Sequence, residues 1–279
     1  MKKVILAVAA LALTASAVVF TACEKNVDVQ SSSKTIPLTS KTNASTPLDF
    51  IGITHNQIMD QVGEMMRNDF EYYASLPNPS EDDEENLLNK IKFSLGEVIV
   101  PDSISINFGK DIASALLMFD SVDINNFLVS ESFKRIEEYC NDALDNGCPE
   151  DLYEIANYGI KSAWSESDTL STIFFTVMKY SANYWTVASV DPSNPWYCII
   201  KTYEKNDSTN NLTKGISIKE KFNKIKNWFA DKVLKKHEPS KAEIVILCDA
   251  TGALIGGLGL GGWLGAITLG GICSACAAA

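Results

Sequence analysis

With 279 residues, a net charge of −11 and a pI near 4.7, the chain is long enough for one large domain or two small ones. The acidic balance excludes nucleic acid as a partner, because phosphate binding needs a clustered basic surface. With only two histidines, His55 and His237, a histidine-dependent hydrolase has few ways to exist.

The chain opens with Met1-Lys2-Lys3 and continues through an uncharged run from Val4 to Val19, interrupted only by Thr14 and Ser16. A positive start followed by a short apolar core is a signal peptide, and the run is shorter than the ~20 residues that a membrane span requires. It ends in Phe20-Thr21-Ala22-Cys23. This string resembles the bacterial lipobox, with a large apolar residue three places before the cysteine and a small one just before it. The resemblance implies cleavage after Ala22 and lipid transfer to Cys23; ordinary signal-peptide cleavage is the alternative. Acyl chains on Cys23 would hold the chain at a membrane. Glu24 to Thr46, rich in Ser, Thr, Lys and Asn with no apolar period, reads as a flexible spacer.

Beyond Pro47 the pattern turns helical. Ile51, His55, Ile58, Val62, Met65, Met66, Phe70 and Tyr73 are spaced by threes and fours, which predicts a helix with His55 on its apolar stripe and Thr54-His55-Asn56-Gln57 as a capping box at its start. A lone histidine on such a stripe reads as a core residue. The string Gly52-Ile53-Thr54-His55-Asn56, with Asp60 beyond, resembles a Gly-x-x-His-Asn helix start of uncharacterised secreted bacterial proteins, and that resemblance brings no activity with it.

Ser80 and the acids Glu81 to Glu85 supply a cap and negative charge at the positive end of a second helix that turns Leu87, Leu88, Ile91 and Leu95 inward. The acidic run lacks the glycine and carbonyl spacing of a calcium loop. Helical periods continue over Asp111–Phe119, Asp123–Leu144, from Pro149 through Trp164, and over Thr169–Val190, where the aromatic residues read as packing. Asn146-Gly147 and Pro149 bring the flanks of Cys140 and Cys148 close, so this pair is the candidate disulfide. Trp196 to Tyr203 alone looks strand-like.

From Ile218 to His237 the apolar Ile218, Phe222, Ile225, Phe229 and Val233 keep helical spacing among Lys219, Lys221, Lys224, Lys226, Lys232, Lys235 and Lys236. Such a basic amphipathic helix either packs with a wet lysine face or lies on an anionic bilayer.

After Pro239 the composition changes again: Ala250 to Ala279 carries no charge and nine glycines. Gly252 and Gly256, then Gly257, Gly261 and Gly265, recur every fourth residue and leave a strip on which another helix can approach closely. The segment resembles the glycine zippers of membrane-active, channel-forming bacterial peptides and of some bacteriocin-like toxins. Its Leu, Ile and Trp263 side chains leave water by burial in the body, by self-association or by entering a bilayer. As one helix it would measure about 45 Å, longer than a ~30 Å hydrocarbon core, whereas a hinge at Gly261-Gly262 allows a hairpin. Lysines precede the segment and none follow, the reverse of a stop-transfer anchor. Cys273-Ser274-Ala275-Cys276 has no second C-x-x-C beside it and reads as structural rather than redox or zinc chemistry.

No Gly-x-Ser-x-Gly elbow, His-Glu-x-x-His helix, Walker loop or Rossmann fingerprint occurs. The sequence thus predicts a mostly α multi-helix bundle with at most a short strand or hairpin near 196–215 and a Gly-rich hydrophobic C-terminal helix or helical hairpin. Its expected parts are a signal peptide (1–22), a lipidated N-terminus and linker (23–46), a helical domain (47–215), a basic amphipathic helix (216–238) and a Gly-rich tail (239–279). The expected function is that of a non-enzymatic lipoprotein, without cofactor or metal, anchored in the bacterial cell envelope at the outer membrane or cell surface rather than the inner membrane. Its tail is either membrane-active or, as the alternative, part of the core or a subunit interface of an envelope binding or assembly module.

Overall fold

The computed structural model describes residues 45–77, 79–98, 115, 117, 121–149, 151–206, 218–234 and 239–278. The signal peptide, Cys23 and the linker up to residue 44 lie outside them, as do most of the helix expected over Asp111–Phe119 and the residues 207–217. Ten α-helices and no strand occur among the described residues, so the chain is mostly α.

The first helix, α1 (Asp49–Ser75), buries Ile51, His55, Ile58, Val62, Met66, Phe70 and Tyr73 on one stripe, as their spacing predicts; Met65, expected on that stripe, is exposed. Its start differs from the expected capping box at Thr54, which is buried within the helix. Ser45 and Thr46 make the entry instead: Asp49 accepts from the Ser45 hydroxyl at 3.0 Å and from the Thr46 amide at 3.4 Å, and Thr46 Oγ1 accepts from the Leu48 amide at 3.2 Å. α2 (Glu81–Glu97) begins where Ser80 predicts, with Ser80 and Asp83 satisfying each other's backbone amides. These hydrogen bonds hold the Asp83 carboxyl below its ordinary range.

The helix expected over Asp123–Leu144 is two: α3 (Ile124–Leu128), capped by Asp123, and α4 (Glu131–Asp145), capped by Ser130. The Ser130 hydroxyl competes with the helix for a backbone amide and breaks the run. Gly147, at φ +78°, ends the α4 segment with the Cys148 amide donating to Ala143 O at 3.0 Å, the left-handed stop that Asn146-Gly147 foreshadows. α5 (Leu152–Ser165) and α6 (Thr169–Ala188) start on the side chains of Asp151 and Asp168.

The strand expected over Trp196–Tyr203 is instead α7 (Tyr197–Asn206). Trp196, Ile199 and Ile200 are fully buried, and their spacing of three and four is a helical period inside a β-rich composition. The Asn194 side chain starts the turn by accepting from the Trp196 amide at 3.0 Å. α8 (Ile218–Phe229) continues into a π-helical turn (Ala230–Leu234) and buries Ile225, Phe229, Val233 and Leu234.

The tail forms α9 (Lys241–Gly256), capped by a Ser240–Glu243 box, a π-helical turn (Gly257–Gly261) and α10 (Gly262–Ala278). A Cβ on Gly252 would meet Cys273 Sγ and Leu269 O at 2.7 Å, while one on Gly256 would overlap the Gly265 carbonyl. Ascending positions on α9 thus meet descending positions on α10, which makes the pair an antiparallel hairpin turned at its glycine-rich tip. Val245 to Gly256 are buried without a break, as are residues 265–275, so neither arm has a polar face, the pattern of helices enclosed by other structure.

α6 and α1 cover the hairpin, with α8 on another side. Glycine under an aromatic ring makes three further contacts: Gly52 beneath Tyr180, Gly63 against Trp196 and Gly159 beneath Phe175. Phe133 of α4, Phe174 of α6 and Phe229 of α8 meet in an aromatic cluster with centroids 6.1–6.4 Å apart, which docks the basic helix through its apolar face.

Glycine contacts generate a pair of predictions of opposite sign. Gly256→Ala should lower the urea-unfolding free energy by about 1–3 kcal/mol through overpacking. Gly96→Ala, where an added Cβ meets nothing within 4 Å, should raise it by up to ~1 kcal/mol through helix propensity.

Candidate functional site

Asp249 is the last charged residue before the charge-free tail, and α9 carries it into the core at 0% exposure. A buried carboxylate must collect hydrogen bonds from protein. Oδ2 accepts from the Ser181 hydroxyl and, at 2.9 Å, from Trp185 Nε1, both on α6. His55 of α1, also fully buried, brings Nε2 to 3.5 Å from the same oxygen. Ser274 of α10 is near enough to favour the ionised carboxyl without meeting hydrogen-bond geometry. Burial dominates these favourable contacts and pushes the Asp249 carboxyl above its ordinary value.

His55 is held from its other side: Nδ1 lies 3.0 Å from Asn56 Oδ1, and Asn56 Nδ2 donates to Tyr180 O at 3.1 Å. The Gly-x-x-His-Asn string is therefore a docking surface for α6 and α9, in which Gly52 admits the Tyr180 ring, His55 reaches Asp249 and Asn56 takes a carbonyl of α6. His55 sits in the core, as its place on the apolar stripe predicts. Asp249 was not anticipated, although a single carboxylate with apolar residues on both sides was the signal that could have found it, since such a group needs a buried partner.

The cluster contains the residue types of a Ser-His-Asp relay but not its order. In a relay the imidazole stands between hydroxyl and carboxylate and takes the hydroxyl proton. Here the Ser181 hydroxyl donates directly to Asp249, away from His55, and all three side chains are sealed from solvent. The arrangement binds helices together and does not activate Ser181. Among the described residues no group of three or more His, Cys, Asp or Glu side chains is placed to hold a metal.

The other predicted residues are dispersed. Gly252, Gly256 and Gly265 lie in the hairpin contact, Gly257 and Gly261 in its turn, and the Trp263 side chain is outside the description. On the basic helix Lys221 is buried, Lys224 and Lys226 are half-buried and Lys232 is exposed. Lys219 stands in the helix, and Lys235 and Lys236 lie outside the described residues. Cys140 is a thiol in the core, its ionisation opposed by burial, so the structure does not bridge it to Cys148. A shallow groove between α1 and α2, lined by Met65, Asp69, Lys90 and Phe93, is open to solvent and spanned by the Lys90–Asp69 ion pair.

No protein family matches the chain, and no curated protein or solved structure matches it.

Asp249→Ala removes the acceptor of Ser181 and Trp185 and the carboxyl that faces His55, and should cost about 3–5 kcal/mol in urea unfolding. Ser181→Ala removes one hydrogen bond to a charged group and should cost about 1.5–3 kcal/mol.

Proposed function

We propose that the mature chain is a non-enzymatic binding or assembly module of the bacterial cell envelope, anchored by lipid on Cys23, with its glycine-rich tail serving as the folding core. The observation that carries the reading is the hairpin itself, whose arms meet through Gly252 and Gly256 and whose outer faces are covered by α1, α6 and α8. Leu254, Ile255, Ile267, Leu269 and Ile272 of the tail are buried within the body. The lipobox-like Phe20-Thr21-Ala22-Cys23 provides the membrane attachment, and the polar stretch Glu24 to Thr46 follows it in sequence.

A second reading, a membrane-active tail, draws on one observation: Lys241–Gly259 is long and apolar enough to cross a bilayer, with 72% of its apolar window buried inside the protein. Such a role requires the hairpin to leave the body and to give up the contacts of Asp249.

Three measurements on this chain separate the readings. Under the core reading, deleting Ala250–Ala279 abolishes the cooperative unfolding transition, and the intact chain releases no dye from anionic vesicles. Retained cooperativity after deletion together with dye release by the intact chain would replace it by the second reading. Cys23→Ser should move the protein from the membrane fraction to the aqueous fraction, and an unchanged distribution would remove the lipid anchor from the proposal.

A further inference from the structure

The hydrogen bonds around His55 determine where its protons lie. Asn56 Nδ2 donates to Tyr180 O at 3.1 Å, which fixes the amide and turns Oδ1 toward His55 Nδ1 at 3.0 Å. An amide oxygen only accepts, so Nδ1 carries a hydrogen. In a neutral imidazole this leaves Nε2 as a bare lone pair. That lone pair faces Asp249 Oδ2 at 3.5 Å, both side chains at 0% exposure. An ionised carboxylate opposite a lone pair, at a separation too short to admit a water between them, is a repulsive contact inside a medium that amplifies electrostatics.

We infer that the His55–Asp249 pair keeps one additional proton in the folded core, so that the buried dyad is electrically neutral at neutral pH. The proton rests either on Nε2, giving an imidazolium facing a carboxylate, or on Asp249, giving a neutral acid that donates to Nε2. At 3.5 Å it belongs to one group or the other rather than lying midway. Both forms turn the repulsive contact into an attractive one, and both spare the core a net charge. The extra proton therefore belongs to the pair rather than to either side chain alone.

The groups that dominate at Asp249 are His55 on α1, Ser181 and Trp185 on α6 and Ser274 on α10, and of these only His55 can become a cation. The remaining helices against α9 bring other cations, buried Lys221 on α8 and half-buried Lys201 on α7, neither of which is among the dominant groups. The raised folded value of Asp249, against an ordinary unfolded one, gives the sign: the folded state holds a proton that the unfolded chain releases. Stability from this group is complete below the ordinary aspartate range and is lost as pH rises through the folded value. A paired surface aspartate behaves in the opposite sense.

Ring-nitrogen NMR on the full chain, labelled at histidine, tests the inference directly. The chain has two histidines, and His237→Gln leaves the His55 signals alone. At pH 7 His55 should show a hydrogen on Nδ1 together with either a doubly protonated ring or a protonated-carboxyl infrared band that disappears in Asp249→Asn. A neutral ring protonated only on Nε2, or an Nδ1–H ring beside an ionised Asp249, overturns it. In thermal melts from pH 5 to 8, the wild-type midpoint should fall relative to that of Asp249→Asn, whose side chain carries no titrating proton. Parallel pH profiles for the two proteins would also overturn it.

Discussion

A carboxylate sealed from water must find every hydrogen bond inside the protein, and Asp249 draws its partners from helices that the chain delivers far apart in sequence. His55 comes from the first helix, Ser181 and Trp185 from the sixth, and Ser274 stands nearby on the last. The hairpin arms approach closely where Gly252 and Gly256 leave room for Leu269, Cys273 and Gly265, and displacing Asp249 by a turn also takes its carboxyl away from Ser181, Trp185 and His55. The carboxylate therefore specifies register, in the way that a single buried polar residue specifies register in a coiled coil.

The same economy of side chains runs through the helices that enclose the hairpin. Where α1 meets α6 and where α5 meets α6, a glycine of one helix lies beneath an aromatic ring of the other, and Gly63 of α1 admits Trp196 just before α7. Each glycine weakens its helix locally by about 1 kcal/mol relative to alanine. The close approach it permits is offset by the burial of large rings, which supply most of the apolar area in such a core. Trp196 adds a specific bond, its Nε1 donating to Met59 O at 3.0 Å. The basic helix is held by the same means, through Phe229 stacked on Phe174, so its lysines decorate a helix whose position the aromatic cluster already determines.

Much of this was legible in the sequence. The spacing of Ile51, Ile58, Val62, Met66 and Phe70, the cap at Ser80, the stop at Asn146-Gly147 and the hinge of the tail follow from local rules that tertiary structure leaves in place. The departures have physical causes. Thr54 has the form of a cap, but Thr46 and Asp49 close the chain nearly two turns earlier and draw Thr54 inside. Trp196–Tyr203 has strand-like composition, yet burial of Trp196, Ile199 and Ile200 on one face demands a helical period. Ser130 ends one helix and begins another because its hydroxyl competes for a backbone amide. Asp249 itself was hidden because a partner 194 residues away is invisible to any reading of neighbours, although the loneliness of that carboxylate in an apolar stretch was visible.

Long-range pairing also bears on how the chain acquires its fold. His55 lies in the first described helix and Asp249 in the last hairpin, so the central polar contact cannot form until nearly the whole chain is present. The hairpin, lacking a polar face, has no independent fold in water, and α1 and α6 without it would expose the stripes that cover it. The chain thus stays short of its core until the hairpin is in place. Closure of α1 over the hairpin then buries the apolar arms in the same step that brings His55 to Asp249.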